Sequence, residues 1–286
     1  MRKLTILGII LALFSACSGG GGGNDNNDET CPILISSSEH HESFATRMED
    51  GVVMVTTVDF GPNADAEAIR SAVNPPHCPV PTAPTSPITD VVNCFNFIDT
   101  SVPVWRSVEN IIVDPTNDEG MNEDEVVALY ASAVATWESE VGTNIFGNVS
   151  RDDVSFLARA TIGKLANGKN EVVFDDVEFN GALATTFTFY RDGNMVEADV
   201  VFNQEDYDWS TDATGSITVL DFHNVATHEG GHTIGLGHPD PSSAICSDQT
   251  MWFTALFGET KKRDLGEGDV SGAQLIYSAP GAVAGQ

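Results

Sequence analysis

The stretch from His228 to His238 restricts this chain more than any other feature of its sequence, because its pattern is His-Glu-x-x-His-x-x-Gly-x-x-His. Two histidines four residues apart project from the same face of a helix. His228 and His232 are therefore predicted to bind one metal ion, and zinc is the ion that such a pair commonly holds. Gly235 allows the helix to end and the chain to turn, so that His238 can return as the third ligand.

Glu229 directly follows the first of these histidines. Its carboxylate is predicted to lie beside the metal without binding it, which is the place of a general base for a zinc-bound water. The fourth ligand position is predicted to stay open for that water. The alternatives are a helix end whose histidines only satisfy hydrogen bonds, or a closed structural zinc site. A structural site would have no use for the glutamate and would add a fourth protein ligand.

The same pattern is typical of the metzincin metallopeptidases, and residues 102–278 resemble their matrixin branch, including Trp137-Glu138-Ser139 and Thr250-Met251-Trp252. The resemblance implies an α+β, zincin-like fold with a twisted, mostly parallel sheet, an antiparallel edge strand, two long helices and a C-terminal helix. It implies a zinc-dependent endopeptidase with one catalytic zinc ion held by His228, His232 and His238. Glu229 would be the catalytic residue, and Met251 would support the histidines from below.

Hydrophobic periodicity predicts the elements of this domain as a strand over 104–113, a helix over 122–141, a strand over 170–174 and a closing helix over 267–277. Alternating residues over 182–190 and 195–202 predict a hairpin around Asp192-Gly193. Thr218 or Asp221 is predicted to begin the metal-binding helix. By the resemblance, a peptide substrate adds to the sheet edge as an extended antiparallel strand, and we expect that edge near residues 198–203.

Residues 1–16 are typical of a signal peptide, with a charged start, an apolar run over 4–14 and small residues before Cys17. The context of Cys17 resembles a bacterial lipobox, which implies lipidation of that cysteine; the alternative is an ordinary secretory signal. Residues 17–30 are rich in Gly, Asn and Asp and are predicted to be a flexible tether. We expect an exported protein that is lipid-anchored to the bacterial cell envelope, at the outer membrane or cell surface, or otherwise secreted.

The sequence of residues 31–100 does not allow us to assign a known fold, although 52–58 is rich in β-forming residues. Their position before the catalytic domain, at 101–280, predicts a pro-segment or an accessory module, and 281–286 is a tail. An even number of further cysteines in an exported chain predicts two disulfides, with three pairings left open, among Cys31, Cys78, Cys94 and Cys246. The residues around Cys78 faintly resemble the segment that places a cysteine on the zinc in matrix metallopeptidase pro-regions. The arginine and glycine of that segment are missing, so we favour a disulfide.

The formal net charge of −29 argues against a nucleic-acid partner. One interpretation of the negative charge is an acidic surface that keeps the protein soluble. The alternative is calcium binding, although the sequence does not indicate which residues would be the ligands. The basic run at 261–263 is predicted to pair with nearby acids. We expect a monomer whose partners are protein or peptide substrates and, through the lipid anchor, the membrane. The expected function is hydrolysis of extracellular or envelope proteins; the alternatives are a non-catalytic zinc-binding surface lipoprotein such as an adhesin, and a zymogen that needs removal of residues 31–100.

Overall fold

The computed structural model describes residues 33–37, 41–48, 51–61, 88–155, 159, 162–163, 166–177 and 181–283. The predicted signal peptide, the tether, Cys17, Cys31 and Cys78 lie outside these residues. Within the described ranges, no helix has the length and apolar content needed to cross a membrane.

The strands of the described chain are β1 Ile33–Ser37, β2 His41–Arg47, β3 Val53–Phe60, β4 Asn96–Phe97, β5 Glu109–Val113, β6 Phe146–Arg151, β7 Asn170–Asp175, β8 Ala182–Arg191, β9 Asn194–Asn203, β10 Asp208–Ser210, β11 Val219–Asp221 and β12 Leu236–Gly237. Most of them form one mixed sheet, in the order β1-β2-β3-β8-β9-β7-β5-β6. Strands β6, β5, β7 and β9 are parallel neighbours, and β8 runs antiparallel to β9. The predicted α+β class, with parallel strands followed by an antiparallel one, is confirmed.

Strands from the N-terminal region extend this sheet. β3 pairs antiparallel with β8 along its whole length, and β2 and β1 follow outward as antiparallel neighbours. The β-rich run at 52–58 therefore lies mostly in strand β3, which begins at Val53. Its place beside β8 was not predicted, because local sequence does not say which distant strand will be the partner.

Two sequence predictions are corrected by the sheet. Residues 198–203 do not form its edge, since β9 lies between β8 and β7 and all of its residues from Glu197 onward are buried. Such a continuous buried run is typical of an interior strand. The predicted strand at 104–113 begins only at Glu109, because residues 106–108 are exposed and Val104 forms an isolated bridge to Asn194.

Three α-helices complete the described domain: α1 Glu123–Val141, α2 Phe222–Thr233 and α3 Glu267–Tyr277. The α3 bounds agree with the prediction, and α1 begins after Asn122, whose side chain accepts from the Glu125 amide at 3.0 Å. Of the two predicted caps for the metal-binding helix, the structure uses Asp221, which accepts from the Asn224 amide at 2.9 Å. The hairpin turn is also as predicted, with φ of 51° at Asp192 and 73° at Gly193.

Helix α2 is fixed in the core by two tryptophan side chains. The indole N–H of Trp137, on α1, donates to the Thr227 carbonyl at 2.8 Å, and that of Trp105 donates to the Thr233 carbonyl at 2.8 Å. Both tryptophans are buried. On the sheet side, the ring of Phe222 packs against Phe174 and Phe202, with centroids 5.4 and 5.0 Å apart. The first turn and the C-terminal half of α2 are therefore held from several directions.

Candidate metal centre

Four buried side chains converge at the centre of the molecule. His228 and His232 lie on α2, His238 follows β12, and Asp59 lies near the end of β3; their ligand atoms are all within 4.8 Å of one another. Asp59 Oδ1 is 2.9 Å from His238 Nε2 and 3.4 Å from His228 Nε2, and Oδ2 is 3.4 Å from His232 Nε2. Each of the four side chains is at most 3% exposed.

The orientation of the imidazoles fits a metal ion. His228 Nδ1 lies 2.6 Å from the Thr250 carbonyl oxygen, and His232 Nδ1 lies 2.7 Å from that of Leu236. Because a carbonyl oxygen can only accept, each Nδ1 carries the proton and each Nε2 turns a lone pair toward the centre. Three imidazole nitrogens and a carboxylate oxygen form a donor set that suits zinc.

Two of the three histidines, His228 and His238, are in the protonation state that a metal requires. Burial lowers the pKa of His228 to about 4 and that of His238 to about 3. Both rings are therefore neutral at pH 7, so a cation need not displace a proton before it binds.

Glu229 lies beside this centre and is completely buried. Its Oε2 accepts a hydrogen bond of 2.6 Å from the hydroxyl of Thr186 on β8, while Oε1 has no hydrogen-bond partner among the described residues. Burial, followed by the charge of Asp59, raises the pKa of Glu229 to about 8. A carboxyl with this pKa can take up and release a proton near neutral pH, as general acid–base chemistry requires.

Met251 packs tightly against the helix that carries His228 and His232. A Cβ on Gly231 would come within 2.1 Å of Met251 Sδ and 2.8 Å of the Trp137 ring, so only glycine fits at that position. Asp269 on α3 positions this turn, because its carboxylate accepts from the amides of Thr250 at 2.6 Å and Met251 at 3.0 Å. Since the Thr250 carbonyl contacts His228, Asp269 also helps to orient a histidine of the centre.

The basic run at 261–263 is only partly as predicted. Arg263 pairs with the Asp221 carboxylate, and Lys261 Nζ lies 3.5 Å from Asp248 Oδ1. Lys262 is instead 1% exposed; its ammonium donates to the Trp252 carbonyl and lies 3.3 Å from His228 Nδ1. Burial lowers the pKa of Lys262 to about 8. Nothing in a short basic run distinguishes a buried lysine from its exposed neighbours, so sequence reasoning missed it.

The structure thus brings together the three predicted histidines, Glu229 and Met251. It also places the Asp59 carboxylate among these histidines, where the sequence predicted a ligand position open for water. Sequence reasoning also missed Thr186. The only feature of the sequence that could have indicated Asp59 is the β-rich run at 52–58, which directly precedes it. The pairing of this run with β8 brings Asp59 to the histidines.

Of the cysteines predicted to form disulfides, Cys94 and Cys246 are bonded to each other, with an S–S distance of 2.07 Å. This bond attaches the segment before β5 to the loop between His238 and Met251. Cys31 and Cys78 lie outside the described residues, so their pairing stays a prediction.

The matrixin family model, which describes M10 peptidases, matches residues 105–278. The chain is 28% identical over 182 residues to stromelysin-1 of Mus musculus, covering 63% of this chain and 34% of that protein. It is 30% identical over 159 residues to metalloendoproteinase 1-MMP of Arabidopsis thaliana, covering 55% and 39%. It is 32% identical over 177 residues to matrilysin of Homo sapiens, covering 61% and 59%.

The chain spans about a third to three fifths of the length of these curated relatives. Strands β1 to β3, and with them Asp59, precede the part of the chain that the family model matches. The match covers more than half of the sequence, and the chain therefore belongs to the matrixin family.

Proposed function

We propose that this matrixin is a zinc-dependent endopeptidase that hydrolyses peptide bonds of extracellular or envelope proteins. The observation that carries the proposal is the convergence of three buried imidazoles beside the buried carboxyl of Glu229. His228, His232 and His238 would hold the ion through Nε2. Family membership supports the same chemistry.

Zinc held there would act as a Lewis acid that polarises the scissile carbonyl and lowers the pKa of water. Glu229 would take the proton of the attacking water on Oε1 and later pass it to the leaving amine. Thr186 fixes the other carboxylate oxygen at 2.6 Å, so that Oε1 stays directed toward the reaction. Met251 and Asp269 hold the histidines in place from below.

The backbone of β8 offers the binding edge for a peptide. In the part of the sheet that the family model matches, β8 is the outermost strand on the side of Glu229 and Thr186. An extended peptide paired antiparallel with it would be held by main-chain hydrogen bonds, with specificity left to side-chain pockets. Export and lipidation at Cys17 also belong to the proposal, and their support is the sequence of residues 1–30.

The two alternative functions are not equally supported. The glutamate and the three histidines are all present, whereas a binding protein without activity has no need of Glu229. A latent zymogen is favoured by one specific observation, which is the Asp59 carboxylate among the histidines.

The test is cleavage of a peptide library by the full chain, before and after limited proteolysis and with or without a chelator. We expect chelator-sensitive cleavage, and we expect Glu229→Gln to lower its rate by about 10²–10⁴-fold without changing zinc content. Glu140→Gln, which neutralises an exposed acid on α1, is the matched control and should leave the rate unchanged. Undiminished cleavage by Glu229→Gln would exclude this mechanism.

A further inference from the structure

We infer that strand β3 occupies the substrate-binding edge of this chain's own active site and that Asp59 is the fourth zinc ligand, so that the intact chain is latent. The inference rests on the proposed function, because it concerns the regulation of the same site. It assigns the inhibitory role to residues 53–60.

The first support is the position of β3. Its pairing with β8 is antiparallel and unbroken from Val53 opposite Tyr190 to Asp59 opposite Ala184. These are the backbone groups that an extended peptide would need, and a strand edge accepts one partner at a time. A substrate therefore cannot add to β8 while β3 is there.

The second support is the environment of the Asp59 carboxylate. It is 2% exposed, and the atoms nearest its oxygens are the Nε2 atoms of the three histidines, at 2.9 to 3.4 Å. In the neutral rings of His228 and His232 the proton lies on Nδ1, directed at a carbonyl oxygen, so Nε2 does not donate to Asp59. His238 Nε2, at 2.9 Å, is then the one ring nitrogen of the three that can donate to this carboxylate. A carboxylate buried with a single donor is unfavourable unless a cation is present. A zinc ion bound by the three histidines would supply that cation.

The third support is the place of the described disulfide, which leaves β1 to β3 outside the loop that it closes. Cys94 is tied to Cys246, so a break between Gly61 and Asp90 would separate β1 to β3 from the rest without breaking this disulfide. The sequence analysis considered the Cys78 thiol as a residue that a pro-segment could place on the zinc. Among the described residues, the side chain from the N-terminal region that lies beside the three histidines is the Asp59 carboxylate.

The experiment measures access to the zinc independently of catalysis. A fluorescent hydroxamate binds zinc only where a ligand position can be freed, so its affinity reports whether Asp59 occupies that position. The full-length proteins compared are the natural chain, Asp59→Asn and the matched control Glu140→Gln. A fourth protein carries a protease recognition sequence between Ile88 and Thr89, where Thr89 and Asp90 are exposed.

We expect about one zinc per chain in all four proteins. If β3 fills the site in 99% of molecules, the natural chain and Glu140→Gln should bind the hydroxamate about 100-fold more weakly than Asp59→Asn. Cutting the fourth protein and removing the released N-terminal piece should strengthen hydroxamate binding to the same extent. The cut protein keeps the natural Asp59, so it tests the inference even if Asp59→Asn does not fold.

Equal hydroxamate affinity of the natural chain, Asp59→Asn and the cut protein would overturn the inference. If the affinities differ as expected and no protein cleaves any peptide, the inference holds and the proposed peptidase function fails. If the affinities are equal and all the proteins cleave peptides at equal rates, the function holds and the inference fails.

Discussion

Two segments that precede the matrixin-matched residues reach the metal centre, and they are attached to it in different ways. Residues 88–98 are joined covalently by the Cys94–Cys246 disulfide, their strand β4 pairs with β12, and the Ile98 amide donates to the Gly235 carbonyl at 3.0 Å. β3 is attached by backbone pairing with β8, by the buried side chains of Val55 and Val58, and by Asp59.

The difference indicates which of the two segments can leave. A disulfide and a strand pair beside His238 make residues 88–98 part of the framework that positions the third histidine. Edge pairing can be exchanged for pairing with another extended chain, because any peptide backbone offers the same donors and acceptors. The boundary between the framework and the removable part therefore lies between Gly61 and Asp90.

The largest loss of stability is expected when the Cys94–Cys246 disulfide, which attaches residues 88–98, is removed. Cys94 and Cys246 are 152 residues apart, so their bond restricts the unfolded chain strongly. The double variant Cys94→Ser, Cys246→Ser should lower the free energy of unfolding by about 2–5 kcal/mol, measured by urea denaturation. Asp59→Asn is the comparison variant, since it changes the attachment of β3 and keeps the disulfide. If the double variant lost less than about 0.5 kcal/mol of unfolding free energy, residues 88–98 would not be part of the framework that positions His238.

The same contrast explains what the sequence could predict. His228, Glu229 and His232 are placed by helical periodicity within five residues, and Asp221 begins their helix through a bond to Asn224, three residues away. Each relation is local, so the order of residues in the chain determines it. The hairpin at Asp192-Gly193 and helix α3 were predictable for the same reason.

The missed residues depend on pairing over long distances. Asp59 reaches the histidines through β8, more than 120 residues later in the chain, and Thr186 reaches Glu229 from the same strand. A shift of one residue in the β3–β8 register would turn Asp59 to the opposite face of the sheet. The sheet edge was placed wrongly because the order of β8 and β9 is also a long-range property. No local pattern encodes these choices.

A smaller effect is expected from the contact between residues 88–98 and β12. A Cβ on Gly237 would lie 2.8 Å from the Phe97 carbonyl oxygen, so Gly237→Ala must push the β4 backbone away. We expect a loss of about 1–3 kcal/mol in unfolding free energy. Because His238 is the next residue, zinc affinity should also fall, by about 10-fold, measured by competition with a chelating dye.

Phe97→Leu is the control for this prediction, because it alters the side chain and leaves the carbonyl oxygen in place. It should keep the zinc affinity of the natural chain. If Gly237→Ala also kept it, the pairing of β4 with β12 would have no part in positioning His238, and the contrast with β3 would weaken.

The smallest expected effect concerns stability at low pH, and it distinguishes the parallel part of the sheet from β3. Asp114 follows β5, and β7, β9 and β8 lie between β5 and β3 in the sheet. Burial alone would raise its pKa, but hydrogen bonds from Arg159 and from the amides of Thr116 and Val154 outweigh burial and hold the pKa of Asp114 below its usual value. A carboxyl with a lowered pKa stabilises the fold above its unfolded pKa of about 3.9, and the stabilisation is lost as the pH falls through the folded value.

Asp114→Asn should therefore be about 1–2 kcal/mol less stable than the natural chain at pH 7, with the difference shrinking below about pH 4. Urea denaturation at a series of pH values measures it, and Asp153→Asn, at an exposed neighbour, should show almost no difference at any pH. A difference that persisted unchanged at pH 3 would contradict the role given to the Asp114 carboxylate. If the difference disappears at low pH as expected, it reports whether the parallel part of the sheet is intact. Hydroxamate binding can be measured at the same pH values. A gain in hydroxamate binding at a pH where the stability difference is still complete must then come from release of β3, because the parallel part of the sheet is still intact there.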